Sequence, residues 1–159
     1  FYQSGVEQSF GYWGAGGAAT YLQNDTGLPL NYDDPKAAGP INDFVSRITN
    51  TVKWDEGASD EIKLEKIITQ KWINGYMDSM ESWVDHRRTG YPKIPYNYRN
   101  ESNSTFGVIG PEDFLKRFVY PGSQVANNAA AYAEAVGFLG GDGDKISTRL
   151  WWDTGGSNF

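Results

Sequence analysis

The stretch SDEIKLEKIITQKWINGYMDSMESWVDHRRTGYP, residues 59–92, decides how the rest of the chain is read. Ser59 has the side chain of a helix N-cap, and Asp60 and Glu61 stand where the positive end of a helix dipole favours acids. Leu64, Ile67, Ile68, Trp72 and Tyr76 then share a face at helical spacing. Asn74-Gly75 weakens that helix, and Asp78 with Glu81 three residues later has the form of a capping box that restarts it. Met80, Trp83 and Val84 carry the second stripe, Arg87-Arg88 sit at its negative end, and Gly90 followed by Pro92 stops it. The pattern predicts two packed helices, 60–74 and 79–88, each half burying the other's aromatics, with Trp72 in the core.

Working outward, Tyr2, Val6, Phe10 and Trp13 mark one face of a helix that Gly14 to Gly17 end. Residues 23–40 are rich in Asn, Asp, Pro and Gly and read as loop. Pro40 suits a first helical position, and Ile41, Val45, Ile48 and Val52 predict a helical stripe behind it. Residues 91–113 form a Tyr-, Asn- and Pro-rich loop, longer than a compact domain usually keeps without a use for it. Phe114 to Tyr120 reads as extended before Pro121. A last helix, capped by Asn127 or Asn128, runs through Tyr132, Val136 and Leu139 to Gly140-Gly141. The fold class is mostly α: helix pairs joined by long irregular loops.

The chain is 39% hydrophobic and 15% aromatic over 159 residues, ample material for a packed core. No apolar run approaches the ~18 residues of a membrane-spanning helix. The net charge of −6 is spread without a basic segment, so a nucleic-acid partner has no support. With no Cys and a single His, thiolate chemistry, iron–sulfur clusters and structural zinc are excluded, and neither a metal nor any other cofactor is expected. His86, alone before two arginines, reads as structural. The opening Phe1-Tyr2-Gln3, with no Met and no leader pattern, predicts either a cut at this point or a piece of something longer.

Four clusters occur in order: Ile68-Thr69-Gln70-Lys71-Trp72; Arg87-Arg88-Thr89-Gly90-Tyr91-Pro92; Arg117-Phe118-Val119-Tyr120-Pro121-Gly122-Ser123 with Asn127-Asn128; and Leu150-Trp151-Trp152-Asp153. Together they resemble the C-terminal part of the SusD-like (SusD/RagB) family of surface glycan-binding lipoproteins, and Phe1 to Gly14 resembles the helix that precedes them there. Gly122 stands where Ser is common in that family, and Gln124 where an acid is common. The resemblance implies that residues 1–159 are the C-terminal portion of one larger, tetratricopeptide-related helical domain with no internal boundary. It implies a non-enzymatic protein that captures oligosaccharide, or peptide in some members, at the surface of a Gram-negative outer membrane. The ligand would pass to a TonB-dependent, SusC-like transporter that the protein covers as a lid, the lipid anchor lying outside this chain. A helical scaffold that only docks on the transporter is the alternative, and a glycoside hydrolase a third.

For the clusters themselves the residue chemistry predicts structural work. Arg87-Arg88 suit a helix C-terminus, and Trp151-Trp152 would pin the chain end to the core. A glycosidase needs two carboxylates across the scissile bond, but Asp60, Glu61, Asp78 and Glu81 stand where capping accounts for them. Asn-X-Ser/Thr matches at Asn24, Asn100 and Asn103 follow from the local composition. Sugars present apolar C–H faces and rings of hydroxyls, so a site needs flat aromatics and planar hydrogen-bonding groups. The loop supplies these types at Tyr96, Tyr98, Arg99 and Asn100, the candidate ligand-binding residues.

Overall fold

The computed structural model describes residues 1–36, 39–97 and 99–159. They form two compact units, one of residues Phe1–Pro35, Asp43–Pro95 and Asn158–Phe159, the other of Lys36–Asn42 and Tyr96–Ser157.

The first unit holds four helices: α1 (Tyr2–Tyr12), α2 (Ala18–Leu22), α3 (Asp60–Asn74) and α4 (Ser79–Thr89). α1 packs on α2 and α3, and α3 packs on α4. Ser59 caps α3 as its sequence predicts, its hydroxyl accepting from the Ile62 N–H at 3.4 Å. α4 ends on Gly90, whose φ of 75° is the left-handed turn that glycine adopts without strain. The capping box at Asp78 does not form; Asp78 stands at the N-cap without a side-chain bond, and Glu81 instead takes a 2.7 Å ion pair from Lys71 across the helix pair.

The predicted helix over residues 41–52 is absent. The segment is extended and pairs once with the loop before it, through an antiparallel bridge between Tyr32 and Phe44. Its side chains bond backbone instead: Asp43 Oδ1 accepts from Asp34 N at 2.6 Å, Asn31 Oδ1 from Ser46 N at 3.0 Å, and Ser46 Oγ from Ile48 N at 3.3 Å. Asn, Ser and Asp offer such alternatives to the helical ladder, and β-branched Ile, Val and Thr fit extended backbone. Helical spacing alone was outweighed by local chemistry.

The helix pair buries only part of the expected stripes: Ile68 is buried and Leu64 and Trp83 are half-buried. Val6, Leu22 and Ile68 are buried apolar residues of this unit, and the polar Glu65, Lys66, Asp85 and Thr89 are buried beside them. Ile67, Trp72, Tyr76, Met80 and Val84 are exposed, Trp72 at 46%. The reason is coverage. Residues 50–53 and Tyr21 reach α3 at Glu65, Lys66 and Gln70, and Trp13 reaches its end by donating to the Asn74 carbonyl at 3.3 Å, which leaves Trp72 between them uncovered.

The second unit contains α5 (Gly122–Asn127), α6 (Ala129–Gly137) and a 3-10 turn at Gly140–Asp142, with the rest irregular. α5 was not expected; Pro121 starts it without any side-chain cap. Residues 114–120 are free of helix and turn, and Lys116 N donates to the Ile146 carbonyl at 2.7 Å. Ile146 N donates in turn to the Phe106 carbonyl at 2.7 Å. Gly107, at φ 101°, lies so close to this strip that a Cβ would meet Ser147 Oγ at 2.7 Å. The interior is polar: the Arg117 guanidinium meets Asp144 at 2.5 Å, both side chains being at most 10% exposed. Asp144 also accepts from Tyr120 N at 3.1 Å and from the Tyr132 hydroxyl at 3.3 Å. Trp151 is not the buried anchor expected of the terminal pair: it is 91% exposed, and Trp152 38%. Asn158 ties the chain end down, donating from its backbone and side-chain nitrogens to Glu61 at 3.0 and 3.1 Å and to the Thr89 carbonyl at 3.1 Å.

Candidate functional site

Between α3 and α4 the exposed aromatics line an open groove of about 520 Å³, with Trp72, Tyr76, Met77 and Trp83 on its walls and His86 and Ile94 at its base. His86 Nδ1 lies 3.1 Å from the Pro92 carbonyl oxygen, which can only accept, so that nitrogen carries a proton. The floor of the pair is held electrostatically. Asp85, 7% exposed, takes Lys71 at 2.6 Å and Arg88 at 3.3 Å, and its hydrogen bond to Lys71 is the main cause that raises the lysine's pKa above its usual range. Arg87 lies over the Trp83 ring at 4.5 Å. The two arginines at the end of α4 thus have partners within the unit.

A second apolar groove, about 480 Å³, lies along α1 and is lined by Phe1, Val6, Phe10, Tyr21, Ile67 and Gln70 among others. Tyr21 crosses it to donate to Gln70 Oε1 at 3.0 Å. The Tyr2 hydroxyl donates to the Val52 carbonyl at 2.7 Å, and burial, then Tyr21, pushes its pKa up to about 12. Tyr91 reaches about 12 as well, through burial first and then its 2.9 Å hydrogen bond to Glu61.

The loop residues singled out from the sequence are used variously. Tyr96 is half-buried and stacks on Phe114, ring centroids 5.4 Å apart. Arg99 is exposed and pairs with Glu101 at 2.9 Å. Asn100 spends its amide on the loop itself, donating to the Ile109 carbonyl at 2.9 Å and accepting from Ser102 N at 3.0 Å. Tyr98 lies outside the described residues. Among the described residues no three His, Asp or Glu side chains gather as metal ligands would.

The family model of SusD-like proteins, described as Susd and RagB outer membrane lipoprotein, matches residues 1–153. The chain belongs to the SusD-like family. Among solved SusD homologues, a chitin-binding one from Flavobacterium johnsoniae is 39% identical with a TM-score of 0.84, covering 99% of this chain and 32% of its own. A SusD-like protein from Bacteroides thetaiotaomicron is 37% identical with a TM-score of 0.87, over 98% of this chain and 32% of its own. A homologue from Bacteroides uniformis is 40% identical with a TM-score of 0.83, over 96% of this chain and 30% of its own. The chain therefore spans about a third of the length of these SusD relatives. No curated protein matches.

The SusD-like clusters have structural uses in this chain. Lys71 bridges the helix pair, Gly90 turns the chain out of α4, Arg117 fills the second unit, and Asp153 accepts from Arg149 at 2.5 Å. The exposed aromatic wall of the first groove was not foreseen, because the same residues at helical spacing read as core. Trp54, which stands alone in a Thr-, Asn- and Asp-rich stretch, was passed over too. A single tryptophan among hydrogen-bonding side chains is the signal that marks it.

Proposed function

We propose that this chain is the C-terminal portion of one larger SusD-like domain. In this reading the whole protein is a non-catalytic oligosaccharide-binding lipoprotein displayed on a Gram-negative outer membrane, delivering its ligand to a TonB-dependent, SusC-like transporter. The observation that carries the reading is the 39% identity over 99% of the chain to a homologue described as chitin-binding. Tyr96, Tyr98, Arg99 and Asn100 stay as the ligand contacts, the exposed Arg99 supplying planar donors to sugar hydroxyls. Affinity electrophoresis against soluble polysaccharides tests it: retardation by at least one glycan, with no shorter products after long incubation, is expected. Release of shorter sugars would replace this reading with a hydrolase.

A second reading is favoured by one observation, the outward apolar wall of Trp72, Tyr76 and Met77. Apolar surface of this kind marks an interaction face, which suits a scaffold that only docks on the transporter. Failure to bind any glycan, together with co-purification with the transporter, would select it.

A further inference from the structure

Residues 49–58, TNTVKWDEGA, run without helix beside α3, turn at Asp55–Ala58, and are fixed there at several points. Lys53 N donates to the Asn24 carbonyl at 2.9 Å, and Lys66 Nζ donates to the Thr51 and Lys53 carbonyls at 2.5 and 2.7 Å. Asn50 Nδ2 donates to Glu65 Oε2 at 2.8 Å. Trp54 is held from one side by Tyr2, centroids 4.8 Å apart and planes 30° from parallel. The half-buried indole lines a groove of about 480 Å³ with Asp25, Thr49, Thr51, Lys53 and Asp55.

The chemistry of this groove is specific. Trp54 offers a flat apolar surface fixed in place by its stack on Tyr2. Its indole N–H and the Thr49 and Thr51 hydroxyls make no side-chain hydrogen bond to the described residues. Asp55 accepts from Gly57 N at 2.8 Å through one oxygen, and its other oxygen takes no hydrogen bond from the described residues. Asp25 and Lys53 face each other at 3.1 Å, and Lys66 balances Asp55, so the lining carries two acids and two lysines. A balanced rim favours neither a phosphate nor a cation. It suits a neutral ligand with one apolar face and many hydroxyls, and the rigid setting means little ordering cost on binding.

We infer that the groove at Trp54 is a saccharide-binding subsite, in which the indole stacks on the C–H face of a pyranose ring while Asp55 and the Thr49 and Thr51 hydroxyls meet its hydroxyls. The inference rests on the oligosaccharide-binding reading above and assigns it a place outside the loop 91–113. The test is titration of the full chain with hexasaccharides of glucose, N-acetylglucosamine, mannose and xylose, followed by the NMR resonances of its tryptophan indole N–H groups. The Trp54 signal is identified by its loss in Trp54→Phe, which keeps a ring for Tyr2 to stack on. For whichever hexasaccharide binds, the Trp54 signal should move progressively and saturate. Trp54→Ala should then weaken binding about tenfold and Asp55→Asn about threefold, the scale of one stacked ring and one hydrogen bond. Binding that shifts other indoles and leaves Trp54 still would overturn the subsite while leaving oligosaccharide binding intact. Absence of binding to all four sugars would overturn the subsite as well.

Discussion

The helix pair α3–α4 and the irregular region built on Arg117 are both held by charge in their interiors, but they distribute it differently. In the helix pair the backbone satisfies itself, and Asp85 shares its charge with Lys71 and Arg88, whose side chains are 46% and 59% exposed. In the irregular region one carboxylate, Asp144, serves Arg117, Tyr120 N and Tyr132, and Arg117 is only 8% exposed. A cation that can turn to water tolerates loss of its partner; one that cannot is left buried and unpaired. Regular secondary structure thus lets a region spread its risk, and a loop-rich region concentrates it.

The largest effect should come from Asp144→Ala, at about 3–5 kcal/mol, the range for orphaning a buried charge. Urea denaturation checks it, and a cost equal to that of the next substitution would erase the contrast between the regions. Asp85→Ala should cost about 1–2 kcal/mol, because Lys71 and Arg88 regain water when their partner goes. Ser59→Ala removes a single cap from α3 and should cost about 1 kcal/mol in the same assay.

At neutral pH the tyrosines contribute nothing that titrates, yet above it they should matter. Tyr2 and Tyr91 ionise near 10 in an unfolded chain and at about 12 here, so their stabilisation is complete below pH 10 and lost as pH rises towards 12. Melting temperatures between pH 9 and pH 12 should fall less steeply in Tyr91→Phe than in the unaltered chain. Trp151→Ala is the smallest: at 91% exposure its removal should change stability by under about 0.5 kcal/mol, and a larger loss would restore the terminal pair as an anchor.

Much of the helical framework was legible residue by residue. α3 and α4 begin and end where Ser59, Asn74-Gly75, Asp78 and Gly90 place them, because capping and glycine chemistry act within a few residues. α1 runs where its stripe places it, whereas α6 starts after Asn128 without a side-chain cap bond and ends at Gly137, short of the expected Gly140-Gly141. Residues 41–52 misled because their apolar spacing competes with Asn, Asp and Ser side chains that bond backbone, and periodicity carries no term for that competition. In the candidate site, Tyr96 and Asn100 have the right chemical types for a sugar, but sequence could not disclose that Phe114 and the Ile109 carbonyl engage them.

By itself the sequence determined the mostly helical class, the boundaries of the central helix pair and membership of the SusD-like family, all of which depend on local propensity and on the order of short clusters. Only the tertiary structure decided which face of that pair is covered. Burial depends on what else reaches a helix, and here the segments that reach α3, at Glu65, Lys66, Gln70 and Asn74, leave Trp72 exposed. The same approach of distant segments, residue 54 against residue 2 and residue 66 against residues 51 and 53, builds the groove around Trp54. No periodicity in the chain encodes such a meeting, because it is set by packing between segments and not by the spacing within one.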